Sequence, residues 1–235
     1  MKRIELAAIA VVVVLGFIAP VFADAPKVKT EPVKPTPVAA NAEAGKKLYD
    51  RYCSQCHGAE GKGDGPAAEF VYPRPRDFTL AIFKVRTTPS GQLPTDHDLF
   101  HIISEGLPGT SMPAWKKFLT ENERWQLVHH VKTFDSLGLF KEEPVKEQVV
   151  IDAPPKVTAE LIAKGKDLYQ QKKCWQCHGS QGRGDGVSAA GMKDEWGFPI
   201  RPVNFTKSWR FRGGDRIEDI YRTFTTGFNG TPMPS

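Results

Sequence analysis

Two short segments of the chain combine cysteine and histidine at a spacing that does chemistry. Cys53-Ser54-Gln55-Cys56-His57 recurs as Cys174-Trp175-Gln176-Cys177-His178, 121 residues further on. Two thiols three apart, with histidine directly after the second, suit covalent attachment of a haem. The thiols add to the porphyrin vinyl groups, and the adjacent imidazole reaches the iron. Three other chemistries use parts of this pattern. A Cys-x-x-Cys pair with histidine is half of a tetrahedral zinc site, and each pair would then need further ligands. A thioredoxin-like redox pair belongs to a βαβ unit, and none is legible around either motif. Structural disulfides are the third, although four cysteines in 235 residues are too few for a disulfide-stapled scaffold. Two copies, each inside a repeated frame, favour haem at both.

An iron held in this way needs a sixth ligand or an open position. Met112 lies 55 residues after His57, and Met233 lies 55 residues after His178. Both sit in Gly-Thr-x-Met-Pro. Of the four methionines, Met1 belongs to the N-terminal segment and Met192 has no counterpart. Methionine is ordinarily a core filler. The equal spacing points instead to Met112 and Met233 as thioether ligands, a choice that favours Fe(II) and raises the potential relative to bis-histidine. His97 and His101 lie four apart on a short helix, but Glu218 and Arg222 occupy those places in the second copy. They and the neighbouring pair His129 and His130 are read as packing or solvent-facing groups.

The frame around the motifs repeats as well. Gly45-Lys-Lys-Leu-Tyr49 answers to Gly165-Lys-Asp-Leu-Tyr169, and Gly61-Lys-Gly-Asp-Gly65 to Gly182-Arg-Gly-Asp-Gly186. Arg74-Pro-Arg-Asp-Phe-Thr79 answers to Arg201-Pro-Val-Asn-Phe-Thr206. Two copies of this length make two homologous domains rather than a solenoid. The pattern predicts a helix over 43–52 ending at the first cysteine, and loop through 61–65. Thr95-Asp-His-Asp98 resembles a capping box, with Gly106 as the stop. Asp215-Arg-Ile-Glu218 is expected to open the matching helix and Gly227 to close it. Thr120-Glu-Asn-Glu123 caps a helix predicted to reach Leu137. No strand pattern appears, so the expected class is all-α. The first copy runs on past Met112 through that last helix, whereas the second stops two residues past Met233. The second domain is therefore expected to lack its closing helix in this chain, with core exposed around the second motif.

Supporting roles follow from the frame. Arg86 and Arg212 are placed to pair with haem propionates, an exposed surface charge being the plainer alternative. Pro75 and Pro202 each offer a carbonyl to the free N–H of the motif histidine, with Pro66 as a competitor in the first copy. Trp115, Tyr49 and Tyr169 are expected to line or pack the haem pockets.

Composition sets the outer limits. Forty per cent hydrophobic and 25% charged residues fit a folded soluble protein and exclude disorder of the whole chain and a multi-span membrane protein. Lys2 and Arg3 precede an apolar run from Ile4 to Ile18, and Val21-Phe22-Ala23 fits a small-x-small cleavage site. Residues 1–23 therefore read as a secretory signal peptide, since about 15 apolar residues fall short of the roughly 20 that span a bilayer. Membrane contact is expected only if this segment is uncleaved. Its removal takes away two positive charges and one negative, lowering the formal net charge from +5 to +4. The expected domain plan is signal peptide 1–23, proline- and lysine-rich linker 24–41, first domain 42–140, linker 141–157 and second domain 158–235. The basic balance favours acidic partners through long-range steering. No basic stretch interleaved with aromatics suggests nucleic acid.

In these residues the chain resembles class I cytochromes c in tandem, over about 42–137 and 160–235. Helix, Cys-x-x-Cys-His-Gly, loop, methionine and closing helix stand in the family's order, and the Arg-Pro-x-Asx-Phe-Thr insert is similar to that of c-type subunits of periplasmic oxidoreductase systems. The resemblance implies two covalently bound haem c groups with His/Met axial pairs (His57 with Met112, His178 with Met233), low-spin six-coordinate iron and single-electron transfer. It further implies a periplasmic location and redox protein partners, with the chain as free shuttle or complex subunit. The competing reading is a haem enzyme such as a di-haem peroxidase, which requires one open iron. A haem-based sensor is a third reading, and no signalling segment accompanies it.

Overall fold

The computed structural model describes residues 42–142 and 148–235, all within one compact unit, Pro37–Ser235. The expected signal peptide, the proline-rich linker and residues 143–147 lie outside the described residues. The described elements are helices and short 3₁₀ turns, and the single β-type contact is an isolated bridge between Lys193 and Pro199. The all-α expectation holds.

The first half is built on α1 (Ala42–Tyr52), α2 (Ser54–His57), α3 (Asp96–Glu105), α4 (Glu121–Lys132) and α5 (Leu139–Glu142). Both predicted capping boxes form. The Thr95 hydroxyl accepts from the Asp98 N–H while the Asp98 carboxylate accepts from the Thr95 N–H, and Thr120 and Glu123 do the same at α4. Each such cap is worth about 1 kcal/mol. The helix expected to reach Leu137 stops at Lys132. Asp135 is the reason: its carboxylate accepts the N–H groups of Leu137 and Phe140 and turns the chain instead.

α4 lies across α1 and α3. It buries Trp125, Leu127, Val128 and Val131 against Tyr49, Leu99 and Ile103. Each fully buried aliphatic side chain here contributes roughly 1.5–3 kcal/mol. The helices touch closely because Gly45 has no side chain. A Cβ at Gly45 would lie 2.2 Å from the Gln126 carbonyl oxygen and 2.9 Å from His130 Cβ.

The second half repeats the plan with α6 (Ala159–Gln171), α7 (Trp175–His178) and α8 (Ile217–Thr226). Arg216, not Asp215, is the residue before α8, and its side chain caps nothing. It reaches instead to the buried Asp219, which Arg222 also holds at 2.8 Å. No counterpart of α4 follows α8 among the described residues. The helices of the second half are less buried than those of the first. α6 has no buried residue, and Leu161, Leu168, Tyr221 and Phe224 are exposed. A Cβ on Gly165, the counterpart of Gly45, would meet nothing within 4 Å.

Candidate functional site

The backbone turns twice to present the first motif. α1 ends as the Cys53 N–H donates to the Tyr49 carbonyl at 2.8 Å. One turn of helix then carries Cys56 and His57, and Gly58 ends it at φ +78°. Only glycine fits that place, since a Cβ would stand 2.0 Å from Asp64 Oδ1. The Tyr49 hydroxyl, fully buried, donates to the Gly58 carbonyl at 2.7 Å and fixes this turn to α1. The second motif repeats the turn, with one extra residue before Cys174, whose N–H donates to the Tyr169 carbonyl, and with Lys173 at φ +56°. Gly179 has φ +80°, its Cβ would stand 2.0 Å from Asp185 Oδ1, and the Tyr169 hydroxyl donates to its carbonyl at 2.6 Å.

The two histidines are held alike. His57 Nδ1 lies 3.0 Å from the Arg76 carbonyl oxygen, and His178 Nδ1 lies 3.2 Å from that of Val203. A carbonyl only accepts, so Nδ1 carries the proton and Nε2 keeps its lone pair for a metal. Burial lowers the pKa of both imidazoles, which keeps that lone pair free of a proton. The accepting carbonyls are one residue beyond the expected Pro75 and Pro202. Successive carbonyls of an extended segment point to opposite sides, and those of the prolines face Gly63 and Gly184, where a Cβ would come within 2.7 and 2.5 Å.

Phe78 stacks on His57 at 4.5 Å, and Phe205 on His178 at 4.3 Å. Each phenylalanine donates its N–H to a glycine carbonyl of the motif loop, Gly61 or Gly182, at 2.7 Å. The residue before it makes a local turn. Asp77 Oδ1 accepts from the Thr79 N–H and hydroxyl, and Asn204 Oδ1 does so for Thr206. The phenylalanines were visible in the repeated Asx-Phe-Thr frame, but only the fold shows that they cover the imidazoles.

Met112 and Met233 sit in matching loops. The N–H of Leu107 donates to the Met112 carbonyl and that of Phe228 to the Met233 carbonyl. Thr110 and Thr231 accept from the methionine N–H groups at 3.1 and 3.3 Å. In the first half, Cys53, His57 and Met112 line one apolar pocket with Tyr49, Phe78 and Trp115. The cavity therefore joins the expected ligand pair. Trp115 and Tyr49 line it as expected. His97 packs edge-on against Trp125, and the buried His130 packs against Tyr49 and Phe134.

Arg86 is 1% exposed and is committed to backbone, its Nε to the Pro89 carbonyl at 3.2 Å and its Nη2 to the Thr226 carbonyl at 2.5 Å. Its Nη1 is buried without a partner among the described residues. Arg212 is held below its usual pKa by burial. None of the four cysteines is in a disulfide, and burial with the neighbouring Cys56 pushes Cys53 up to about 12. A redox-active cysteine pair needs the opposite shift. Among the described residues no three His, Cys, Asp or Glu side chains converge as a metal's ligand set. Each histidine would meet a metal as a lone protein nitrogen beside two cysteines.

Similarity to known proteins follows the same division. Residues 40–131 match the family model described as cytochrome C oxidase, cbb3-type, subunit III, and residues 162–235 match that of cytochrome c. Over 98 residues, 41% of this chain and 79% of the relative, the sequence is 31% identical to cytochrome c55X of Paracoccus denitrificans (strain Pd 1222). The chain is also similar to a chain of the Kuenenia stuttgartiensis reducing HAO-like protein complex Kustc0457/Kustc0458. That match has a TM-score of 0.78 and 46% identity, over 82% of this chain and 86% of the other. The chain belongs to the cytochrome c family.

Cytochrome c domains carry covalently bound haem c, and the residues of this cytochrome fit that group. The first cavity is apolar, as a porphyrin face requires, and brings a thiol, an unprotonated imidazole nitrogen and a thioether to one space. Among the described residues, Arg86 Nη1 and Trp196 Nε1 are buried donors without a protein partner.

Proposed function

We propose that this cytochrome is a periplasmic di-haem electron carrier that passes single electrons between redox proteins, working as a subunit of an oxidoreductase complex. Cys53, Cys56, Cys174 and Cys177 would form the thioether links, and His57 with Met112 and His178 with Met233 the axial pairs. The observation that carries this reading is the equivalence of the two motifs. Each histidine donates a hydrogen bond from Nδ1 to a backbone carbonyl and stacks on a phenylalanine. Bound in each frame, haem supplies a reversible Fe(II)/Fe(III) couple. The protein's own work is to hold imidazole and thioether unchanged and to exclude water from the apolar pocket, so that little reorganises when charge changes.

The domains are taken as 42–140 and 158–235, preceded by a cleaved signal peptide at 1–23 and the linker 24–41. Membership of a complex is supported by the neighbour's place in one and by the exposed apolar faces of α6 and α8. The test is a haem count per chain, a potentiometric titration and exposure of the reduced protein to carbon monoxide. Two haems, two one-electron steps and no carbon monoxide adduct are expected. Stoichiometric carbon monoxide binding to one haem would reveal an open iron and replace this reading with a haem enzyme.

A further inference from the structure

Among the described residues, the Met233 loop is packed in part by the first half of the chain. Residues of the first half reach it at three points. Arg86 Nη2 donates to the carbonyl of Thr226, in the last turn of α8 just before the loop. The Gly91 N–H donates to Asn229 Oδ1 at 3.3 Å, inside the loop. The Arg76 guanidinium lies over the Trp196 ring at 4.1 Å, and that ring packs on Gly230. A Cβ at Gly230 would be 2.5 Å from Trp196 Cζ3 and 3.4 Å from Arg76 Nη1. The Gly230 carbonyl is also tied, accepting from the Glu195 N–H at 3.1 Å.

The Arg86–Thr226 contact is buried and costly to lose. Thr226 is 2% exposed and Arg86 1%. A charged donor removed from a buried carbonyl leaves that carbonyl unsatisfied. The Lys84 to Asp194 pair, 3.8 Å apart, ties the two halves together beside Trp196. The bracing is reciprocal. Gly109, in the Met112 loop, lies against Arg210 of the second half, where a Cβ would be 3.0 Å from Arg210 Cβ. Among the described residues, none of Arg86–Thr226, Gly91–Asn229 or Arg76–Trp196 is repeated within a single copy. They exist only because the halves meet.

We propose that Arg86, Asn229 and the Arg76–Trp196 stack are positioning residues for the second iron's methionine, so that ligation by Met233 depends on the docked first half. The proposal rests on the assignment of Met233 as a ligand. Arg76 also gives its carbonyl to His57, so the same residue joins the proximal side of the first iron to the distal loop of the second.

The test uses the full di-haem chain, with the near-infrared methionine-to-iron absorption measured per haem. The unsubstituted protein must show two such bands for two haems. A single band there would refute the Met233 assignment itself rather than the bracing. In Arg86→Gln, the band intensity is expected to fall towards half with both haems still attached, the second potential dropping while the first stays. Arg86→Lys, which keeps a charged donor, should recover part of the loss. Should Arg86→Gln fail to fold, Trp196→Leu and Asn229→Ala together give the same reading without burying an unpaired carbonyl. Full intensity at both sites in these variants, or loss at Met112 rather than Met233, would overturn the proposal.

Discussion

Replacing Gly45 and Gly165 separately by alanine distinguishes the covered face of α1 from the open face of α6. Both glycines occupy the same place in the repeat, and both are inside helices. In a helix interior alanine is favoured over glycine by roughly 0.5–1 kcal/mol. At Gly165 nothing opposes that gain, since the added methyl group meets open space. At Gly45 the methyl would lie 2.2 Å from the Gln126 carbonyl oxygen, a backbone atom that no rotamer change moves aside. α1 and α4 would have to separate, and a gap of about 1 Å forfeits a large part of the dispersion contacts around Tyr49, Val128 and Val131. Overpacking of this kind costs about 1–3 kcal/mol. The propensity gain cancels in the comparison, so that figure is also the expected difference between the variants. Urea titrations of the holoprotein followed by far-ultraviolet circular dichroism read it directly. Gly45→Ala should lower the midpoint and Gly165→Ala should raise it. Equal loss in both would mean that a helix backbone also rests on Gly165, contrary to the packing described.

Further outcomes follow from single contacts. Tyr49→Phe removes a buried donor from the Gly58 carbonyl and should cost about 1–3 kcal/mol, whereas Tyr169→Phe, at a less buried hydroxyl, should cost less in the same titration. Asp77→Asn should be nearly neutral, because Asn204 makes the same two hydrogen bonds to Thr206 through Oδ1, while Asp77→Ala should destabilise by about 1–2 kcal/mol. Lys84 has a pKa lowered to about 8, mainly by burial and then by the neighbouring Arg76 and Arg212. Between about pH 8 and 10.5 the unfolded chain holds a proton that the folded chain does not, so stability should rise across that window. Denaturant titrations at several pH values should show the rise, and Lys84→Met should flatten it.

The motifs, the helices around them and the place of each methionine were legible because the repeat prints each twice. Thr95 with Asp98, and Thr120 with Glu123, announced their helices by capping chemistry that needs only local sequence. The end of α4 was not legible, because Asp135 competes for backbone N–H groups that an apolar stripe cannot reveal. The carbonyl partners of His57 and His178 were misread by one residue, since carbonyl direction along an extended segment depends on the path of the chain. Arg86 was expected as a propionate partner or an exposed surface charge, and it is buried. Its commitment to Thr226, 140 residues away, is a contact between halves, which no periodicity within one copy encodes.

Near-infrared magnetic circular dichroism of the oxidised protein, with haem counted in the same sample, tests the central claim most directly. The account predicts two haems per chain, each with a methionine-to-iron signature, from His57 with Met112 and His178 with Met233. A high-spin haem, or one carrying two nitrogen ligands, would contradict it at that site.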